Sequence, residues 1–140
     1  MGIKRINDLV RGGLAVVNRR RGGGARVLLG WKMAQRGIAA DMIAGYENEE
    51  YTHMNVAAAV LSGRASAGLG VRAAANALGL DFIPVGVEEY DLVIPLRFWS
   101  DERMQSLLEV VRSRDFLDAV VAMGGYGVEK TGRIVWTFDG

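Results

Sequence analysis

Two short runs carry the chemistry this sequence offers, Arg21-Gly22-Gly23-Gly24-Ala25-Arg26 and Glu49-Glu50-Tyr51-Thr52-His53. The first follows an apolar stretch and leads into a helical pattern, so its backbone N–H groups gather where peptide dipoles leave partial positive charge. Glycines let the main chain approach an oxyanion closely, and Arg21 or Arg26 can add a charge-assisted bond. That chemistry is reversible anion binding. The same residues also suit a tight strand-to-helix connection with solvated arginines. No Gly-Lys-Ser or Gly-Lys-Thr follows at the spacing of a phosphate-binding P-loop.

In the second run Thr52 is placed to cap a helix, and Tyr51, Thr52 and His53 could reach a ligand from the loop before it. His53 read as an ordinary first-turn residue is the competing account. Gly68-Leu69-Gly70-Val71-Arg72-Ala73 fits the dinucleotide pattern G-x-G-x-x-A, with Glu88 or Glu89 near the expected acidic distance. The preceding Arg64 to Ala67 is small and polar, where a true fingerprint has a β-branched strand. Asp81, Glu88, Glu89 and Asp91 cluster in sequence, but turns and strand alternation scatter such acids, and no catalytic residue is assigned. Trp31, Trp99 and Trp136 occur singly and read as core or rim packing.

The elements that must position these runs alternate. Leu14 to Asn18 reads as a buried strand. After the glycine loop, Val27, Leu28, Trp31, Ala34 and Ile38 recur at helical spacing, with Gly37 as a stop. Thr52 opens an alanine-rich helix through Val60 and Leu61 that ends near Gly63, and a further helix over Val71 to Leu78 is closed by Gly79. Strands are expected at Phe82 to Val87 and Tyr90 to Pro95. Ser100 is expected to cap a helix through Leu107, Leu108 and Val111, and Phe116 to Val121 mark another that stops at Gly124. The alternation predicts an open α/β sheet, whose ligands sit beyond the carboxyl ends of its strands.

Composition narrows the functions. With 140 residues the chain can bury roughly two thirds of its unfolded surface. A formal net charge of +1 gives no global field toward nucleic acid, and no nucleic-acid partner is expected. Cysteine is absent and His53 is the single histidine, so sulfur-based metal sites and Cys-His catalysis cannot be assembled; neither metal nor cofactor is expected. No run approaches the about 20 apolar residues that span a bilayer, and Met1 to Val10 is too polar for a signal peptide. As written, the chain is expected in the cytoplasm and off the membrane.

Several linked motifs carry a resemblance. Asn18 to Arg26, Glu50 to His53, Val60 to Gly70, Leu80 to Val85, Glu88 to Pro95 and Gly124-Gly125-Tyr126 together resemble the substrate-binding-like domain found on molybdopterin biosynthesis proteins. The resemblance covers roughly Leu9 to Val135. It implies an α/β, type II periplasmic-binding-protein-like fold, related to molybdate and tungstate receptors, which binds without catalysis. Residues 1–140 would form a single such domain truncated on its N-terminal side, with one complete lobe and part of the other. It implies a small anionic ligand held by Arg21, Gly22, Gly23, Gly24, Ala25, Arg26, Tyr51, Thr52 and His53. The family loop normally reads Arg-Gly-Ser-Gly-Thr-Arg, so Gly23 and Ala25 replace two hydroxyls, each worth about 0.5–1.5 kcal/mol as a contact. Ser66 stands where the family has aspartate. Apolar strand faces without a first lobe would need cover, from a second copy in a homodimer or from the missing lobe of a longer protein.

Overall fold

The computed structural model describes residues 2–138, which divide into two compact units, one ending at Pro84 and one beginning at Val85. The first unit holds a parallel three-stranded sheet. β1 (Val16–Arg19) lies in the centre, with β2 (Glu49–Glu50) on one side and β3 (Ala67–Gly68) on the other. Asn18 is in register with Glu49 and Arg19 with Glu50, while Val16 and Val17 face Ala67 and Gly68. Helices α1 (Gly24–Ala34), α2 (His53–Leu61) and α3 (Arg72–Ala77) follow the three strands in turn.

Consecutive strand residues point to opposite faces, and the core divides accordingly. Val16 packs with Leu29 and Met33 of α1 and with Leu9, Ile38 and Ile43; Val17 packs with Val56 and Ala59 of α2 and with Ala65. The two helices therefore cover opposite faces of the sheet. β1 and β2 are neighbours, yet the chain leaves one toward the α1 face and the other toward the α2 face. In open α/β sheets a divergence of this kind marks the carboxyl edge at which the ligand crevice lies.

Several sequence expectations shift. β1 begins two residues later and ends one residue later than the expected Leu14 to Asn18, because its ladder is fixed by β2 and β3 on either side. α1 begins three residues before Val27, so Gly24, Ala25 and Arg26 form its first turn and the connecting loop is Arg20 to Gly23. Ala67–Gly68, at the junction of the small polar segment and the G-x-G-x-x-A run, is a strand. A Cβ on Gly68 would lie 2.5 Å from Cγ1 of Val56 and 2.9 Å from Cγ1 and the carbonyl oxygen of Val17, so close packing demands glycine there. Ser66 sits at the amino end of the sheet, its N–H donating to Ala15 O at 2.7 Å and its Oγ accepting from Ala15 N at 3.3 Å. The replacement of the family aspartate thus falls at the opposite end from the crevice.

The second unit contains α4 (Glu102–Arg112) and α5 (Arg114–Met123). α4 is capped by Asp101, whose Oδ1 accepts from Arg103 N at 2.9 Å, and not by the expected Ser100. A carboxylate one residue nearer the helix reaches the first free amides. Ser113 ends α4 and caps α5, accepting from Phe116 N at 3.3 Å, and Gly124 closes α5 at φ +75 as expected. The strands expected at Phe82 to Val87 and Tyr90 to Pro95 do not form. No backbone–backbone hydrogen bond among the described residues involves residues 81–94, and without a neighbouring strand the alternating pattern has no ladder to join. Val87 and Tyr90 are almost wholly exposed. Trp31 and Trp136, expected to pack, are also exposed, with Lys32 lying over the Trp31 ring and Phe138 beside Trp136. Among the described residues no helix is long and apolar enough to cross a membrane.

Candidate functional site

The crevice is built from the ends of β1 and β2. β1 delivers the chain to a tight turn in which Gly23 N donates to Arg20 O at 3.1 Å and Gly22 takes φ +78, a left-handed conformation suited to glycine. Gly23 then caps α1 with its backbone alone, and its carbonyl accepts from Val27 N at 3.1 Å. The next amides, those of Gly24, Ala25 and Arg26, meet no acceptor among the described residues, as the first turn of a helix dictates. Of the amides of the glycine loop, that of Gly23 is closed into the turn and those of Gly24, Ala25 and Arg26 are left.

Opposite, β2 ends at Glu50, and Tyr51 and Thr52 lead into α2. Thr52 is the N-cap, its Oγ1 accepting from Asn55 N at 3.0 Å, as its position in the sequence predicts. His53 is the first helical residue and half-buried, whereas Tyr51 is exposed. Both helix starts lie at the carboxyl edge of adjacent parallel strands, so the two runs singled out by sequence stand at one end of one sheet.

The two loop arginines differ. Arg26 is only 8% exposed; Nη2 donates to Glu47 at 2.8 Å, Nη1 donates to Glu49, and the guanidinium lies 5.1 Å from the Tyr46 ring centroid. Arg21 is exposed and donates to the same Glu47 oxygen at 2.8 Å, with Glu49 3.6 Å away. Burial lowers the Arg26 pKa, but the hydrogen bond and charge of Glu47 outweigh it, so the group stays more firmly protonated than usual. The same bonds from Arg21 and Arg26 hold the Glu47 carboxyl below the ordinary glutamate range. On the other face of β2, Glu50 accepts from Arg64 at 3.0 Å. A surface depression lined in part by Tyr46, Glu47 and Asn48 adjoins this network through Glu47.

Sequence reasoning missed Glu47 and Arg64, and it did not foresee that Glu49, at the start of the second run, pairs with the loop arginines. The available signal was the acidic run Glu47 to Glu50 at the end of one strand, matching the basic run Arg19 to Arg21 at the end of its neighbour. Buried Asn18 ties the two together: its Nδ2 donates to Tyr46 O at 3.3 Å and its backbone N to Asn48 O at 2.8 Å. Among the described residues no three His, Cys, Asp or Glu side chains gather to hold a metal ion. The G-x-G-x-x-A run does lie on strand, turn and helix, but Gly68 is required by packing against Val17 and Val56, and α3 has only six residues.

Comparison with known proteins adds the family context. The model of one family, the PBP superfamily domain, matches residues 1–112. The Bacillus subtilis (strain 168) protein YvgK, described as uncharacterized, is 32% identical over 133 residues, 95% of this chain and 42% of that protein. A Clostridium pasteurianum protein, described as an uncharacterized protein in a ferredoxin 2Fe-2S gene 5' region, is 31% identical over 110 residues, 78% of this chain and 97% of that protein. The chain thus spans less than half the length of the first relative and nearly all of the second. No solved structure matches it at a significant level.

Proposed function

Because the chain belongs to the PBP superfamily domain family, a periplasmic-binding-protein-like group, we propose that it binds a small oxyanion without catalysis at the carboxyl edge of its parallel sheet. The observation that carries this reading is the first turn of α1: the amides of Gly24, Ala25 and Arg26 have no acceptor among the described residues and stand where β1 and β2 diverge. Gly22 and Gly23 shape the turn, Arg21 and Arg26 set the local charge, and Tyr51, Thr52 and His53 form the opposite wall. The domain is a type II lobe in this reading. The resemblance to molybdopterin-associated domains makes molybdate and tungstate the first anions to try.

Isothermal titration with molybdate, tungstate, sulfate and phosphate tests the reading. Saturable one-to-one heat with at least one of them is the expected result. Silence across all four favours a second reading, in which the chain is a structural or partner-binding lobe. That reading draws on the carboxylates already held by Arg21 and Arg26 and on the run from Val87 to Val93, whose Val87, Tyr90, Leu92 and Val93 side chains are exposed between three acids. A second copy of this chain, or further polypeptide of a longer protein, would cover that run, and sedimentation of the free chain distinguishes a dimer from a monomer.

A further inference from the structure

Arg21 and Arg26 are engaged by Glu47 and Glu49, so a ligand at this edge meets guanidiniums that already have counter-ions. Arg19 differs. It is the last residue of β1, in register with Glu50 of β2, but the Glu50 carboxylate pairs with Arg64 and Arg19 makes no ion pair among the described residues. Its Nη1 is buried and has no hydrogen-bond partner among the described residues. Buried guanidinium nitrogens are rarely left so, because a desolvated donor without an acceptor is costly. The backbone of the glycine turn comes near the base of this side chain: a Cβ on Gly23 would lie 3.9 Å from the Arg19 Cβ.

Resting on the anion-binding reading above, we infer that Arg19 is the side chain that contacts the ligand, its Nη1 donating to an oxyanion oxygen beside the first turn of α1. Strand position explains why. Arg19 shares the α2 face with Val17, whereas Asn18 and its register partner Glu49 share the α1 face with Arg26. The Glu49 carboxylate that holds Arg26 is thus on the other side of the sheet from Arg19. An anion at the divide between the two faces would take one donor set from the helix amides and one from Arg19, and leave the Glu47 network intact.

The test compares wild type, Arg19→Met, Arg19→Lys and, as an arginine outside the site, the exposed Arg36→Ala by titration with molybdate, tungstate, sulfate and phosphate, together with ligand-free thermal unfolding. For whichever anion the wild type binds, Arg19→Met is expected to weaken affinity at least tenfold and Arg19→Lys several-fold, with Arg36→Ala within about threefold. The ligand-free unfolding temperature of Arg19→Met is expected to equal or exceed that of wild type, since a buried donor without a partner is removed. Full-strength binding by Arg19→Met overturns the assignment and leaves the anion reading standing. A lower unfolding temperature in Arg19→Met, with Arg19→Lys binding like wild type, marks Arg19 as structural and also overturns it. No binding by wild type to any of the four anions defeats the anion reading and this assignment together.

Discussion

Arg26 donates to Glu47 across 2.8 Å while the arginine is buried and the carboxylate is 61% exposed, so the pair joins the floor of the crevice to its rim. Glu49 and the Tyr46 ring complete the arginine's surroundings. The residue that sequence presents as a ligand contact is at the same time a structural tie between α1 and the loop before β2.

Arg26→Ala is therefore expected to cost stability before it reports on binding. The carboxylates it leaves are partly solvated, which moderates the penalty to roughly 1–3 kcal/mol. Denaturant unfolding checks this, and Arg21→Ala, at an exposed pair, is expected to change stability by under about 1 kcal/mol.

Acid should loosen the first unit. Asp8 is buried, and the Lys4 amide foremost, then Arg11 and Arg5, hold its pKa below 3.8; hydrogen bonds from Arg21 and Arg26 hold Glu47 below 4.5. Depressed native values mean stability present above the unfolded values and lost as pH falls through the native ones. Thermal unfolding is expected to be flat from neutral pH to about 5 and to decline below about 4.5. Asp8→Asn should be less stable at neutral pH and less sensitive to acid.

Gly68→Ala is expected to destabilise by about 1–3 kcal/mol, because its Cβ would press on Val56, Val17 and a strand carbonyl. Gly70→Ala meets only an ordinary contact, 3.8 Å from His53 Nδ1, and should be milder. The two unfolding temperatures decide whether these glycines serve packing or, if Gly70 proves the more sensitive, a nucleotide.

Helix caps give a cleaner contrast. Thr52→Ala and Asp101→Ala are each expected to cost about 1 kcal/mol, whereas Ser100→Ala is expected to be close to neutral. Equal effects at Ser100 and Asp101 in denaturant melts would contradict the observed cap of α4.

What the sequence revealed, and what it hid, follows the range of the forces involved. The Gly22–Gly23 turn, the Thr52 cap and the glycine after α5 are local devices, and each is legible from a few neighbouring residues. β3 was hidden because Ala67 and Gly68 have little strand propensity; their place is set by Val17 and Val56, distant in sequence. Conversely, Phe82 to Pro95 has the composition of strands, but pairing is a property of two segments and no second one is supplied among the described residues. The ion pairs of Arg21 and Arg26 with Glu47 and Glu49 span more than 20 positions, beyond any spacing rule. Both loops of the site were thus visible, while the carboxylates that occupy its arginines were not.

The most direct test of the central claim follows the backbone amides of a nitrogen-15-labelled chain during titration with molybdate, tungstate, sulfate and phosphate in turn. The account predicts saturable shifts of the Gly24, Ala25 and Arg26 amide resonances with at least one anion, at a common dissociation constant. Saturable shifts confined to other residues, with those three amides unmoved, would contradict it.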